Sequence, residues 1–347
     1  MIRLKDIAQQ AGVSVMTVSK VLRDAPDISA ETKARIRLLA HQMGYVPDIL
    51  AQGLRTRKTK LLGAVIPSVT HPVFARVLLA MEDRAHTAGY ELVVAHTLSQ
   101  TDREELVIRR LISRRVDGLL ISPVHRPHST AAVYEELQRT GIPTVILGPT
   151  TAFCSSFSCV QGDEFQGAYA CTRHLLELGH QRIAFFSGPS LLSWSRDRLE
   201  GYHRAMRDAG LSVDDRLVFN AGGSIEEGIK AAEQMLAEGV QATAVQAVND
   251  QVAIGAANTF FQKGWQIPEN LSVAGFGNFL ISEYYRVPLT TVRQPKHRLG
   301  TAAMEMLLRL MGSEKPPSVK LPAELIVRQS TAAVPQGNAV QSAVGSS

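Results

Sequence analysis

From Leu61 onward the chain repeats one rhythm, a short apolar run followed by a longer segment whose apolar residues recur every three or four positions. Apolar runs fall at 61–66, 90–95, 118–122 and 143–147, separated by helical periods over 73–89, 102–115 and 129–140. A second series has runs at 183–186, 217–220, 244–248 and 271–276, with helical periods over 164–179, 196–209, 225–238 and 250–263. Each such helix carries the chain back to the starting edge of its sheet, so successive strands run parallel and both sheet faces lie under helices. Two series in 347 residues predict two doubly wound α/β lobes, with a ligand crevice beyond the carboxyl ends of the strands.

The start of the chain obeys a different rule. Ile7, Ala8 and Ala11 sit at helical spacing and give a short helix one apolar face. Gly12 tolerates the positive φ that a tight turn between crossed helices needs, and Val13 fits the corner. Ser14 is a good N-cap for a second helix, in which Val18, Val21 and Leu22 face inward while Val15, Met16, Ser19 and Lys20 face out. A third helix over 29–44, capped by Ser29 and stopped at Gly44, offers Ile36, Leu39, Ala40 and Met43 to cover the first two. This is a helix-turn-helix, whose second helix lies in the major groove of duplex DNA. Charge agrees: residues 1–60 hold eleven Lys/Arg against five Asp/Glu, a net +6, whereas the rest of the chain is at −1.

Composition narrows the remaining classes. Cys154, Cys159 and Cys171 are too few for a disulfide scaffold, and Cys171 with His174 has no second pair at zinc spacing, so neither a metal nor a cofactor is expected. No apolar stretch reaches the length of a membrane span, and no secretory h-region opens the chain, which predicts a cytoplasmic protein. The chain shows no Gly-rich phosphate loop and no nucleophile elbow, and Gly275–Asn278 is too partial for a dinucleotide fingerprint, which argues against an enzyme.

Fragments in a fixed order carry a family resemblance. They are Lys5-Asp6-Ile7-Ala8, Ala11-Gly12-Val13-Ser14, Thr17-Val18-Ser19, Val21-Leu22 and Gly44-Tyr45 with Pro47 in the head. In the core they are Pro72 with Phe74, Asp117-Gly118, Gly179-His180, Gly188-Pro189, Arg198-Leu199, Asn249-Asp250, Gly275-Phe276 and Pro288-Leu289-Thr290-Thr291. Over residues 3 to about 330 the chain resembles the LacI/GalR family of bacterial transcription regulators. The resemblance implies a small all-α helix-turn-helix head (1–46), a hinge helix and basic linker (47–60), and an α/β core (61–330). That core would have the periplasmic-binding-protein-like type I architecture, its N-lobe near 61–160 and 292–320 and its C-lobe near 161–291 and 321–330. The tail, 331–347, lacks periodicity and is expected to be disordered.

The implied activity is that of a repressor binding a pseudo-palindromic operator as a homodimer, with a small-molecule effector between the lobes and no membrane partner. Implied DNA contacts are Leu4, Lys5, Ser14, Val15, Met16, Thr17, Ser19 and Lys20, together with Ala51 and Leu54 of the hinge. Val15 and Met16, both apolar, suit thymine methyls rather than bidentate hydrogen bonding, and Lys20 lacks the planar fork that matches guanine. Leu54 takes the place of a wedge that unstacks a central base step. Effector candidates are Phe74, Ser122, Trp194, Arg198, Asn249 and Gln294. Arg198 either holds an anion or pairs with Glu200 or Asp250, and Phe74 either stacks on a ring or belongs to the core. Gly148, Gly162 and Gly277 stand where relatives often present acids, so an anionic or apolar effector is expected, with an effector-independent regulator as the alternative. A solute-binding protein is opposed by the DNA head. Helix 73–89, through Val73, Val77, Leu78, Met81 and Ala85, is the expected dimer element, with packing on its own sheet accounting for part of that face.

Overall fold

The computed structural model describes residues 2–45 and 58–334, so the hinge helix, with Ala51 and Leu54, and residues 335–347 lie outside the described residues. The chain divides into two compact units, Met1–Thr59 and Lys60–Ser347.

In the first unit, helices α1 (Leu4–Ala11), α2 (Val15–Leu22) and α3 (Ala30–Gln42) enclose one small core. Gly12 ends α1 at φ 66°, and the Ser14 hydroxyl accepts the Thr17 amide at 3.0 Å to start α2. Ile7, Val18, Val21 and Ile36 are fully buried, each contributing roughly 1.5–3 kcal/mol of transfer free energy. Leu22, Leu39 and Met43 close the rim of this core. The connection into α3 is held by Asp24, whose carboxylate meets Arg37 at 2.7 Å and Lys33 at 3.1 Å.

The second unit alternates β1 (Leu61–Ile66), α4 (Pro72–Thr87), β2 (Glu91–His96), α5 (Thr101–Ser113), β3 (Gly118–Ile121), α6 (Ala132–Thr140), β4 (Thr144–Leu147) and β5 (Ser158–Gly162). It continues with α7 (Glu164–Glu177), β6 (Ile183–Ser187), α8 (Ser193–Asp208), β7 (Val218–Asn220), α9 (Ile225–Ala237), β8 (Ala244–Ala247), α10 (Asp250–Gln262) and β9 (Ser272–Gly277). Then follow α11 (Leu280–Tyr284), β10 (Thr290–Arg293), α12 (Lys296–Met311), β11 (Val319–Leu321) and β12 (Glu324–Ile326). One sheet has the order β11-β5-β4-β3-β1-β2 and the other β12-β10-β9-β8-β6-β7. All pairings are parallel except β12 on β10, an antiparallel edge. Both sheets are therefore doubly wound, and the strand order reverses at β1/β3 and at β6/β8.

Three passages join the lobes, after β5, after β10 and between β11 and β12. Each lies one or two residues beyond the boundary expected from sequence, because β5, β10 and β11 run on to Gly162, Arg293 and Leu321. Strand β5 has only two apolar residues, Cys159 and Val160, among its five, so hydrophobic periodicity does not betray it.

Two expectations need correction. Val77, Leu78, Met81 and Ala85 of α4 are buried within their own lobe, against α12 and the sheet, and do not form a free dimer face. Gly300 makes this packing possible, since a Cβ there would stand 2.3 Å from the Val77 carbonyl oxygen. The side of α4 left in solvent carries Arg76, Leu79 (59% exposed) and Glu82. Residues 331–334 also depart from the disorder expected of them. Thr331 meets His174 at 3.0 Å, His180 meets the Ala332 carbonyl at 2.9 Å, and the Val334 amide donates to Leu178 at 3.0 Å, so residues 331–334 are held on the C-lobe. Backbone bonds of this kind leave no trace in composition. Among the described residues no helix is long and apolar enough to cross a membrane.

Candidate DNA-reading face and interlobe site

Helix α2 presents its working side chains outward. Val15 and Met16 are 46% and 64% exposed, large apolar groups in water with no core to enter. Ser14 and Thr17 bond to each other at 2.9 Å, which fixes both hydroxyls at the start of the helix. Lys5 is exposed, whereas Leu4 packs half-buried on the head core and Ser19 is half-buried on α2. The Lys20 ammonium is taken by Asp27 across the turn, and this bond holds the Asp27 carboxyl below its ordinary range. A large exposed apolar pair on a capped helix, inside a positively charged unit, suits apolar contact with base edges in a groove.

The crevice between the lobes is built differently, because its polar groups face one another. Arg198, 6% exposed on α8, sends Nε and Nη2 to one carboxylate oxygen of Glu164 at 2.8 and 2.6 Å, and Nη1 to the Val248 carbonyl. Its guanidinium lies 3.7 Å from the Phe276 ring centroid and 4.8 Å from that of Trp194. Gln294 donates to the other Glu164 oxygen at 2.8 Å. Asn249 caps α10, accepting the Val252 amide at 2.8 Å and donating to the Gly223 carbonyl at 2.9 Å. The Ser122 amide extends the β1–β3 pairing through the Val65 carbonyl, and the Phe74 ring meets His71 edge-on at 5.5 Å while packing on the N-lobe core. Arg198, Trp194, Gln294 and Glu164 thus form one cluster. Ser122, Phe74 and Asn249 take other partners.

Glu164 is the residue that sequence reasoning missed. A Cβ on Gly162 would sit 3.2 Å from its carboxylate, so an acid absent from position 162 is supplied two residues later, by the first turn of α7. It partners Arg198 in place of Glu200 or Asp250. Position 277 offers no such freedom, because φ is +128° and a Cβ would lie 2.6 Å from the Phe279 ring. Asp250 is fully buried and accepts from the Phe279 amide at 2.7 Å and from Ser282 and Thr291. Burial raises its pKa despite those bonds. His71 is held below its usual value, first by the protein enclosing its ring and then by the charges of Arg198 and Lys296, although part of the residue meets solvent. Lys296, also missed, brings positive charge to the flank of the crevice and, with Arg198, disfavours a charge on the His71 ring.

Two family models match the chain: bacterial regulatory proteins of the lacI family over residues 3–48, and the periplasmic binding protein-like domain over 172–331. The chain is 31% identical over 334 residues to the HTH-type transcriptional repressor PurR of Photobacterium profundum, covering 95% of this chain and 98% of the relative. The chain belongs to the LacI family. A lac repressor dimer bound to operator and the anti-inducer ONPF superposes with a TM-score of 0.86 at 27% identity, covering 96% of this chain and 99% of the repressor. The transcriptional regulator CelR in complex with cellobiose gives 0.72 at 27% identity, covering 95% and 100%. This LacI-family member is therefore a DNA-binding transcription regulator, with the helix-turn-helix and the two-lobe α/β core of its relatives.

Proposed function

We propose that this regulator is a cytoplasmic repressor, not an enzyme, whose homodimer reads a pseudo-palindromic operator through Val15 and Met16. In this reading Thr17 and Ser19 position the helix on phosphates, Lys20 reads bases without the bidentate fork of an arginine, Leu4, Lys5, Ser14 and Ala51 add further DNA contacts, and Leu54 supplies the wedge. The observation that carries it is the exposure of Val15 and Met16 on a capped helix of the basic unit. Selection of binding duplexes from a randomised pool by the full chain tests it. The expected product is an inverted repeat rich in thymine at the positions facing these side chains. Affinity for it should fall steeply with salt, as release of about 6–10 phosphate counterions demands. Recovery of no inverted repeat, or a flat salt series, would refute the reading.

The interlobe crevice is the proposed effector site, with Arg198, Trp194 and Gln294 on its wall. An effector-independent regulator is favoured by one observation, that Arg198, Glu164, Gln294 and Asn249 already use one another or the backbone as partners. A ligand there must displace these bonds or bind beside them.

A further inference from the structure

The three passages between the lobes are tied to one another along the crevice. Glu164 opens α7 just past the first passage, Gln294 lies on the second, and Lys320 belongs to β11, which leads into the third. One Glu164 oxygen takes both Nε and Nη2 of Arg198, and the other takes the Gln294 side-chain amide at 2.8 Å. Beside it, the Asp163 carboxylate meets the Lys320 ammonium at 2.9 Å, and the Asp163 amide donates to the Leu321 carbonyl at 2.8 Å. Both oxygens of Glu164 are therefore engaged, and its chain neighbour is fastened to the third passage. The side chains of Arg198 and Glu164 are 7% and 12% exposed, so little water competes for their charge-assisted bonds.

A guanidinium fork, a side-chain amide and two covering rings, Phe276 and Trp194, are the groups that recognise a carboxylate, and the carboxylate present is the chain's own. Gly162 leaves room for it, since even a methyl there would crowd the Glu164 oxygen. A change of lobe spacing turns all three passages together, so it must stretch or break the bonds made through Glu164. We propose that Glu164 acts as a built-in ligand. Its carboxylate pins Arg198 and Gln294, holds the lobes in their operator-binding spacing without a small molecule, and makes an anionic effector a releaser of DNA. The proposal rests on the repressor reading and supplies the sign of its regulation. The chain with these bonds formed superposes on a lac repressor dimer bound to operator, which is the ground for assigning the latched spacing to DNA binding. An anion that competes for Arg198 frees Glu164 from the second passage and shifts the population away from that spacing.

The test measures operator affinity of the full chain by anisotropy, with and without acetate at constant ionic strength. Each variant's response to acetate is divided by the parent's, which removes the general effect of the anion on DNA binding. Glu164→Ala should weaken operator binding at least about tenfold, the worth of one charge-assisted hydrogen bond. Its affinity for an unrelated duplex should stay within about twofold, since the DNA head is untouched. Acetate should restore most of the lost operator affinity by refilling the vacated position, and glucose should not. Gln294→Leu keeps the Arg198 pair, cuts only the tie to the second passage, and should weaken operator binding about three- to tenfold. Urea unfolding read through Trp194 and Trp265 shows whether each variant is folded, and if Glu164→Ala is not, Gln294→Leu decides alone. In the parent, citrate or succinate should weaken operator binding at concentrations that change the tryptophan fluorescence. A merely structural ion pair would lower the urea midpoint of Glu164→Ala and leave both its operator affinity and its acetate response at the parent's. That result, an operator affinity of folded Gln294→Leu equal to the parent's, or tightening of the parent's operator binding by citrate or succinate would overturn the proposal. Failure of the parent to bind any operator would instead count against the repressor reading.

Discussion

The DNA-reading face and the interlobe crevice hold functional side chains in opposite states. On α2, Val15 and Met16 present much of their apolar surface to water. In the crevice, Arg198, Glu164 and Gln294 are enclosed and already bonded. A face that meets a stiff, charged duplex can be assembled in advance and left open, because DNA supplies the missing surface. A crevice that closes on a small molecule must be stable without it, so its polar groups partner one another.

Substitutions can break this comparison. The largest effect is expected from Arg198→Leu, which strands Glu164 without its partner and should cost the core roughly 3–5 kcal/mol in urea unfolding read by tryptophan fluorescence. Arg198→Leu combined with Glu164→Leu should recover most of that loss. A double variant no better than the single one would show that the pair is not what holds the crevice. On the other side, Met16→Ala should cost about 1–3 kcal/mol at the selected operator and leave the salt slope unchanged, because no phosphate contact is lost. Anisotropy titrations across a salt series separate the two quantities, and a shallower slope would reassign Met16 to backbone positioning.

Lys296→Met sharpens the comparison by removing a half-buried charge that has a backbone carbonyl for a partner but, among the described residues, no carboxylate at ion-pair distance. With a folded-state pKa of about 8 against an ordinary 10.5, the unfolded chain binds more protons between those values, so the parent protein gains stability as pH rises through that window. At pH 7 the ligand-free variant should be more stable by on the order of 1–2 kcal/mol, and the two denaturation curves should converge above about pH 10. A variant less stable than its parent at pH 7 would mean that the alkyl stem and the bond to Asn278 outweigh the desolvation. The smallest effect belongs to Asp27→Asn, which releases Lys20 at the surface. Operator binding should tighten by about two- to fivefold at low salt and by nothing measurable at high salt.

Legibility in the sequence follows the same division. The head could be read residue by residue, since Gly12, Ser14 and Ser29 act on neighbours three or four positions away and the apolar face of each helix is local. The alternation of strands and helices was equally visible wherever a buried strand is a continuous apolar run. What escaped depends on distant partners. Val77 and Met81 turn inward rather than to a partner because α12, more than 200 residues later, covers them. Glu164 escaped because its meaning comes from Arg198 on the next helix and Gln294 on the second passage between lobes. The four residues of the tail that stay on the C-lobe are held by His174, His180 and Leu178, none of which composition can connect to them.

The two edge strands β11 and β12 lie only two residues apart in the chain, yet each completes a different sheet. Neither lobe is therefore whole until the last seventh of the chain has been made. A ribosome extending this protein releases the helix-turn-helix first, as a segment that can fold within its own length. It must then hold two unfinished sheets, with Leu62, Leu120 and Val145 waiting for Met304 and Leu307. Premature termination before α12 would yield chains with a competent DNA head and an exposed apolar core, the combination that quality-control proteases are expected to meet most often. Pulse-labelled nascent chains should accordingly gain protease resistance in two steps, one early for the head and one only near completion for both lobes together.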